Sequence, residues 1–305
     1  MQISTSLLFD RASAQLSGIQ NDLAKSQAQI STQKQVLNPS DAPDQATAIT
    51  RLKSMIGKQD SYAKTLETVQ ARLETESTTL SNAGDLLIRL KELTIQANNA
   101  THSGSGRALI ATEMRGLREQ LLSLANSTDA TGSYLFSGSK VHTQPFATSA
   151  GTVSYQGDQA QISVAVGDQR TLLTNRSGTE AFVSVVRTSD GTATGVGFFQ
   201  AIDDLITGVT AGDGTAMRRG LGEMDTLHQG VVVAQASGGT TMQSVQQQTS
   251  VLDAIKLTLQ LSLSSVEDLD MAKAITLMQK QLLSLEAAQS SFAKVSQLSL
   301  FAYLR

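Results

Sequence analysis

Residues 9–44 read FDRASAQLSGIQNDLAKSQAQISTQKQVLNPSDAPD, and Phe9, Leu16, Leu23, Ile30 and Leu37 stand seven apart in it. Ala12 and Ile19 fill the intermediate position before polar Ser26 and Gln33 take it over. Apolar residues at that interval make a narrow helical seam, of the kind that pairs two helices. The seam stops at Asn38-Pro39-Ser40-Asp41-Ala42-Pro43-Asp44. Each proline biases the residue before it away from helix, and Ser40 or Asp41 is placed to cap the next helix. Pro39 and Pro43 therefore mark a break.

Working outward, a second helical run passes through Ile49, Leu52, Ile56, Leu66, Val69, Leu73, Leu80, Leu87 and Leu90. A helix over about 44–99 spans roughly 80 Å at 1.5 Å per residue. A turn is expected at His102-Ser103-Gly104-Ser105-Gly106, then a returning helix through Leu109, Met114, Leu117, Leu121 and Leu124. After Ala130 the texture turns to Gly, Ser and Thr. Alternation predicts strands at Val153–Tyr155, Ile162–Val166 and Phe182–Val186, with turns at Gly157-Asp158, Gly167-Asp168 and Asp190-Gly191. A short helix is expected over Gly197–Thr207.

Helical texture returns near 216. Residues 255–263 alternate strictly, yet Leu252, Ile255, Leu259, Leu263 and Val266 also fit a helical stripe, and helix is the reading adopted. The last run, Met271, Ile275, Met278, Leu282, Leu285, Ala288, Phe292, Val295 and Leu298, steps by threes and fours. It forms a second seam, and the two chain ends are expected to pair as an antiparallel coiled coil. Asp268 and Asp270 mark the second break, Asp270 as the cap of the final helix.

The expected fold class is mainly α with a β-rich insertion: a long helical rod or coiled coil formed by both chain ends, plus a peripheral β-rich domain. The expected domains are a terminal coiled coil (1–42 with 271–305), a helical rod (43–131 with 216–270) and a β-rich outer part (132–215). The insertion, with its ends beside a helical hairpin, is expected to be removable without loss of the helices.

Composition excludes several functions. Of 305 residues 17% are charged, the net charge is −3 and the pI is near 5.7, so the basic field that nucleic-acid binding draws on is missing. Without Cys there is no disulfide, thiolate nucleophile or Cys-based zinc site. The N-terminal residues lack a basic and apolar leader, and no stretch reaches the ~18 apolar residues of a membrane span. His102, His142 and His228 have no partner at metal spacing, and Gly191, Gly195 and Gly197 read as turn chemistry. Asp203, Asp204, Asp213 and the trio Glu267, Asp268 and Asp270 lack a calcium-loop pattern. Neither enzyme nor cofactor is expected.

The quoted break, STQKQVLNPSDAPDQA from Ser31, has companions: Ile3-Ser4-Thr5, RGLREQLLSLANSTDATGSYLFSGSKVHTQPF from Arg115, VEDLDMAKAI from Val266 and the ending LSLFAYLR. Together they resemble the flagellin-like superfamily, in particular the hook-associated protein 3 family at the hook–filament junction of the bacterial flagellum. The likeness covers roughly 1–146 and 240–305. It implies a structural adaptor, exported unfolded by the flagellar type III route and located at the junction. It also implies hook-associated protein 1, flagellin, further copies of the chain in a ring, and a cytoplasmic export chaperone as partners, without membrane insertion. The assembly interface is then expected at Phe9, Leu16, Leu23, Ile30, Leu37, Met278, Leu282, Leu285, Phe292 and Val295. A flagellin-type filament subunit is the nearest alternative, and RLKELTIQANNA from Arg89 is flagellin-like. Pro39, Pro43 and the Phe-Ala-Tyr ending stand against it, and Lys91 sits where flagellins recognised by innate immunity carry Arg. A secreted helical effector or translocator, and an enzyme carried on the insertion, are the readings of other classes.

Overall fold

A computed structural model describes residues 2–99, 104–189 and 192–303, with side chains for all of these except 2–6, 8, 189, 192 and 295–303. In chain order the elements are α1 (Gln2–Thr32), α2 (Pro43–Ala97), α3 (Gly104–Ala125), β1 (Phe146–Ser149), β2 (Thr152–Tyr155), β3 (Ser163–Ala165), β4 (Thr171–Leu173), α4 (Gly178–Ala181), β5 (Val185–Ser189), β6 (Thr192–Val196), α5 (Phe198–Ala211), α6 (Gly214–Glu267) and α7 (Met271–Tyr303). Contacts divide the chain into a terminal unit, Met1–Gln59 with Ala254–Arg305, and a central unit, Asp60–Asp253.

In the terminal unit α1 and α7 pair. They run antiparallel: the ring of Phe9, early in α1, lies 4.9 Å from that of Phe292, late in α7, while Lys34, just past α1, bridges Asp268, just before α7. Helix α1 ends where Gln33 takes a left-handed φ of 58°, the usual way of closing a helix, here without the usual glycine. Leu37, expected as the last seam residue, therefore lies beyond α1 and is half-buried in the connecting segment. Pro43 is the first residue of α2, where its missing N–H costs nothing. Neither Ser40 nor Asp41 directly precedes that helix; Ala42 does, and Asp41 instead faces Lys25 at 3.4 Å.

The central unit owes its core to the same three-four spacing, now opposed by more layers. Leu66, Val69, Leu73, Leu80, Ala83, Leu87, Leu90 and Leu93 are all buried along α2. On α6 so are Met217, Met224, Leu227, Val231, Ala234, Val245 and Leu252. Three antiparallel two-stranded hairpins, β1–β2, β3–β4 and β5–β6, complete the unit. They do not have a core of their own. Phe146, Phe182, Val185, Phe198 and Phe199 belong to one cluster with Leu87 and Leu90 of α2, Leu121 of α3 and Leu227 of α6. Removing the insertion would therefore uncover apolar side chains of α2, α3 and α6, at a cost in stability. The β3–β4 hairpin meets α2 and α6 at Val166, packed with Leu66, Val69 and Val245 and bonded through its carbonyl to Gln248 Nε2 at 3.0 Å.

The segment LANSTDATGSYLFSG is a structured turn. Asp129 accepts from the Thr131 hydroxyl at 2.6 Å and the backbone N–H of Ser133 at 3.1 Å, and Arg72 of α2 donates to Asp129 at 2.6 Å and to the Tyr134 carbonyl at 3.0 Å. This delivers Leu135 and Phe136 into the core, both at 0% exposure. Gly138 has φ +67°, and a Cβ there would stand 2.2 Å from Asp158 Oδ1, so no other residue fits.

Local expectations needed correction at two places. Gly104 to Gly106 open α3 instead of forming a turn, at a helix start where glycine is less costly than in a helix interior; His102 and Ser103 lie outside the described residues. The strand expected at Phe182–Val186 starts only at Val185. Ahead of it Ser177 caps the short α4, and Phe182 is drawn into the aromatic cluster 5.2 Å from Phe136 and 5.1 Å from Phe198. The expected turn at Asp190-Gly191 falls outside the described residues. Residues 255–263 are helical within α6.

Candidate assembly surface

Two helices can cover each other along only one stripe. On α1, Ala12, Leu16, Ile19, Leu23 and Ile30 are half-buried and Ser26 is buried; on α7, Met271, Met278, Gln281, Leu285, Ala288 and Phe292 are half-buried and Ala274 is buried. Of the expected interface residues, then, Leu16, Leu23, Ile30, Met278, Leu285 and Phe292 lie on the stripe. Phe9 touches Phe292 yet stays 51% exposed. Leu282 faces outward at 42%, beside Ile275, Leu277 and Leu283, which are exposed as well. Leu37 is in the connecting segment, and the Val295 side chain is outside the described set. Sequence reasoning places Ile275 and Leu282 in the seam and misses Leu277 and Leu283, because a step of three or four registers one stripe and is blind to a second one beside it. A groove of about 340 Å³ runs between Ala12, Gln15 and Ile19 of α1 and Ser284, Ala287 and Ser291 of α7.

The two breaks converge. Asp270 accepts from the backbone N–H of Lys273 at 3.1 Å, capping α7, and this hydrogen bond leads the causes that hold its carboxyl below the usual range. Gln35 N–H donates to the Glu267 carbonyl at 2.8 Å, and Leu269 N–H to the Gln33 carbonyl at 3.0 Å. Pro39 is exposed and Pro43 begins α2. Glu267, in sequence only one of an acidic trio, receives both Lys34 and Lys53 at 2.8 Å. Hydrogen bonds from Lys34 and then Lys53 hold its carboxyl below the usual range.

Elsewhere the acidic residues have structural partners. Arg118 of α3 grips Asp203 of α5 through two bonds of 3.0 and 2.9 Å. Arg187 of β5 donates to Glu223 at 2.6 and 2.7 Å and also contacts Asp204. Asp213 caps α6 by accepting from Thr215 and Ala216. Lys91 pairs with Asp225 at 2.5 Å. Among the described residues no group of three His, Asp or Glu could hold a metal ion, and no helix is long and apolar enough to cross a membrane. A groove of about 730 Å³ in the central unit is lined by Arg115, Arg118, Asp203 and several threonines, and its Arg118 and Asp203 are spent on each other.

Comparison with known proteins agrees with this layout. Residues 3–141, which hold α2, α3 and α1 from its second residue on, match the bacterial flagellin N-terminal helical region. Flagellar hook-associated protein 3 of Salmonella typhimurium is 27% identical over 315 aligned positions, covering 99% of both chains. The fold is shared with Xanthomonas campestris FlgL (TM-score 0.61, 22% identity, 71% of this chain and 99% of that one). It is shared also with the flagellar junction protein FlgL of Legionella pneumophila (TM-score 0.57, 18% identity, 66% of this chain and 99% of that one). From end to end, this chain is similar to flagellar hook-associated protein 3, and its residues 3–141 match the flagellin N-terminal helical region.

Proposed function

We propose that the chain is a structural adaptor of the flagellar axis, joining the hook, through hook-associated protein 1, to the flagellin filament. The observation that carries this reading is the terminal helix pair. It leaves Phe9, Ile275, Leu277, Leu282 and Leu283 exposed by 39 to 69%, each able to gain on the order of 1 kcal/mol if covered, in a chain whose full-length relative is a flagellar hook-associated protein. Neighbouring copies in a ring, hook-associated protein 1 and flagellin are the natural covers. The residues expected at the interface, Phe9 to Leu37 and Met278 to Val295, stand as its contact set. The three-part division at 42/43, 131/132, 215/216 and 270/271 is the matching functional one: inner tube, connecting helices and outer part. The chain works by surfaces, without catalysis or cofactor. It reaches the flagellum by type III export with a cytoplasmic chaperone.

Leu282→Asp tests this, since Leu282 is exposed and its loss leaves the core alone. Cells carrying it should release flagellin monomers into the medium, and immunogold should find no band at the hook tip. Normal filaments on such cells would show that this surface does not build the junction. The match to the flagellin helical region favours a filament subunit as second reading; immunogold along the filament, instead of one band at the joint, would establish it.

A further inference from the structure

Glu267 is the last residue of α6, at a helix end whose dipole disfavours negative charge. It is only 8% exposed. Its carboxylate takes Lys34 from the segment after α1 and Lys53 from α2, each at 2.8 Å, so one side chain ties three parts of the terminal unit. Around it the two breaks are stitched together by the Gln35–Glu267 and Gln33–Leu269 backbone bonds. Gln29 Nε2 adds a bond of 2.6 Å to the Gln35 carbonyl. Gln33 holds the left-handed φ of 58° that side chains disfavour, and its carbonyl is the one that accepts Leu269, so the strained residue sits inside the stitch. Nearby, Lys25 pairs with Asp41 at 3.4 Å and Lys273 with Asp270 at 3.1 Å, while Asp268 accepts from the Ser264 hydroxyl and adds its charge to those acting on Lys34. The chain passes from α1 to α2 through residues 33–42 and from α6 to α7 through 268–270, none of them helical.

We propose that Glu267 is the latch of a single hinge: it fixes the α1–α7 pair against the adjoining ends of α2 and α6, and its neutralisation lets the pair swing as one body. Exposed ion pairs contribute little because water serves each partner nearly as well. Glu267 differs, since its own carboxylate is mostly buried while Lys34 and Lys53 stay half exposed, so that taking both lysines away leaves a buried charge uncompensated. What is left is a bridge of two backbone bonds, the Gln29–Gln35 bond and the half-exposed Lys25–Asp41 pair, too little to hold the joint in one arrangement. The α1–α7 contact has its own anchor at Phe9 and Phe292 and persists when the latch opens. The latch is a property of this joint alone and does not depend on where the chain is assembled.

The full chain has no Cys, so spin labels on engineered cysteines report without background. One labelled pair, Ser17→Cys with Gln45→Cys, spans the hinge; another, Ser17→Cys with Gln289→Cys, reports within α1 and α7. The parent should give a narrow distance distribution for both. Glu267→Gln should broaden the hinge pair at least twofold and leave the internal pair unchanged, and the double variant Lys34→Met, Lys53→Met should reproduce the broadening. Asp268→Asn, which keeps the latch, should stay narrow. Unchanged width in Glu267→Gln would overturn the proposal. So would equal broadening of both labelled pairs, or broadening by Asp268→Asn as large as by Glu267→Gln.

Discussion

The terminal and central units are built from the same aliphatic palette at the same spacing, yet they end in opposite states. Along 60–253, Leu66, Leu80, Leu87, Leu90, Leu121 and Leu227 are exposed by 1% or less. In 1–59 with 254–305, Ala274 is the only apolar residue in the buried class among the described side chains, while Leu7, Phe9, Met55, Leu257, Leu261 and Leu283 are exposed. The difference is the number of layers. In the central unit the stripes of α2 and α6 are closed over by α3, α5 and the five-phenylalanine cluster. In the terminal unit α1 has α7 alone, and a two-helix seam leaves each residue half wet. Folding stability is therefore concentrated in one unit and binding capacity in the other.

The sharpest way to break this contrast is a matched pair of truncations. Phe182→Ala removes a ring packed edge-on against Phe136, Phe146 and Phe198 and should cost about 3–5 kcal/mol of central-unit stability in denaturant unfolding. Leu285→Ala should leave that transition within about 0.5 kcal/mol. Equal losses would mean that the two units unfold as one. A smaller effect sharpens the picture from inside the seam, where Gln281 Oε1 is buried without a hydrogen-bond partner in the structure. Gln281→Leu relieves that burden and should raise amide-exchange protection in α7 by about 1–2 kcal/mol; unchanged exchange would mean that the seam is indifferent to polarity.

The smallest expected effect is acid sensitivity at the joint. Glu267 is held below its ordinary value of 4.5 by its bonds from Lys34 and Lys53. Its contribution is thus complete above pH 4.5 and disappears as pH falls through the lower folded value, when the carboxylate takes up a proton. Protection of the Gln35 and Leu269 amides should decline in that acidic range in the parent, and Glu267→Gln should abolish the dependence. An identical decline in the variant would assign it to other carboxylates.

Periodicity carries much of this architecture because long helices repeat their signal: α2, the last seam and the break at Pro39 and Pro43 are all legible. What fails is local or nonlocal in a way that periodicity does not encode. Phe182 has strand-like neighbours, and only the ring cluster around it explains why the chain coils there. Leu37 keeps the seven-residue interval, yet Gln33 has already ended α1. Glu267 reads as ordinary charge between helices, since Lys34 and Lys53 lie more than two hundred residues away in sequence. Leu282 reads as a seam residue although it points outward, because a step of four and a step of three look alike in a run of leucines.

The pairing of Phe9 with Phe292 also sets an order in time. Closing a loop of nearly the whole chain is the slowest kind of contact to make, and a growing chain offers α1 long before α7 exists. The first seam to be synthesised is the last to find its partner. Until then its stripe stays bare, interrupted by the polar residues Ser26 and Gln33.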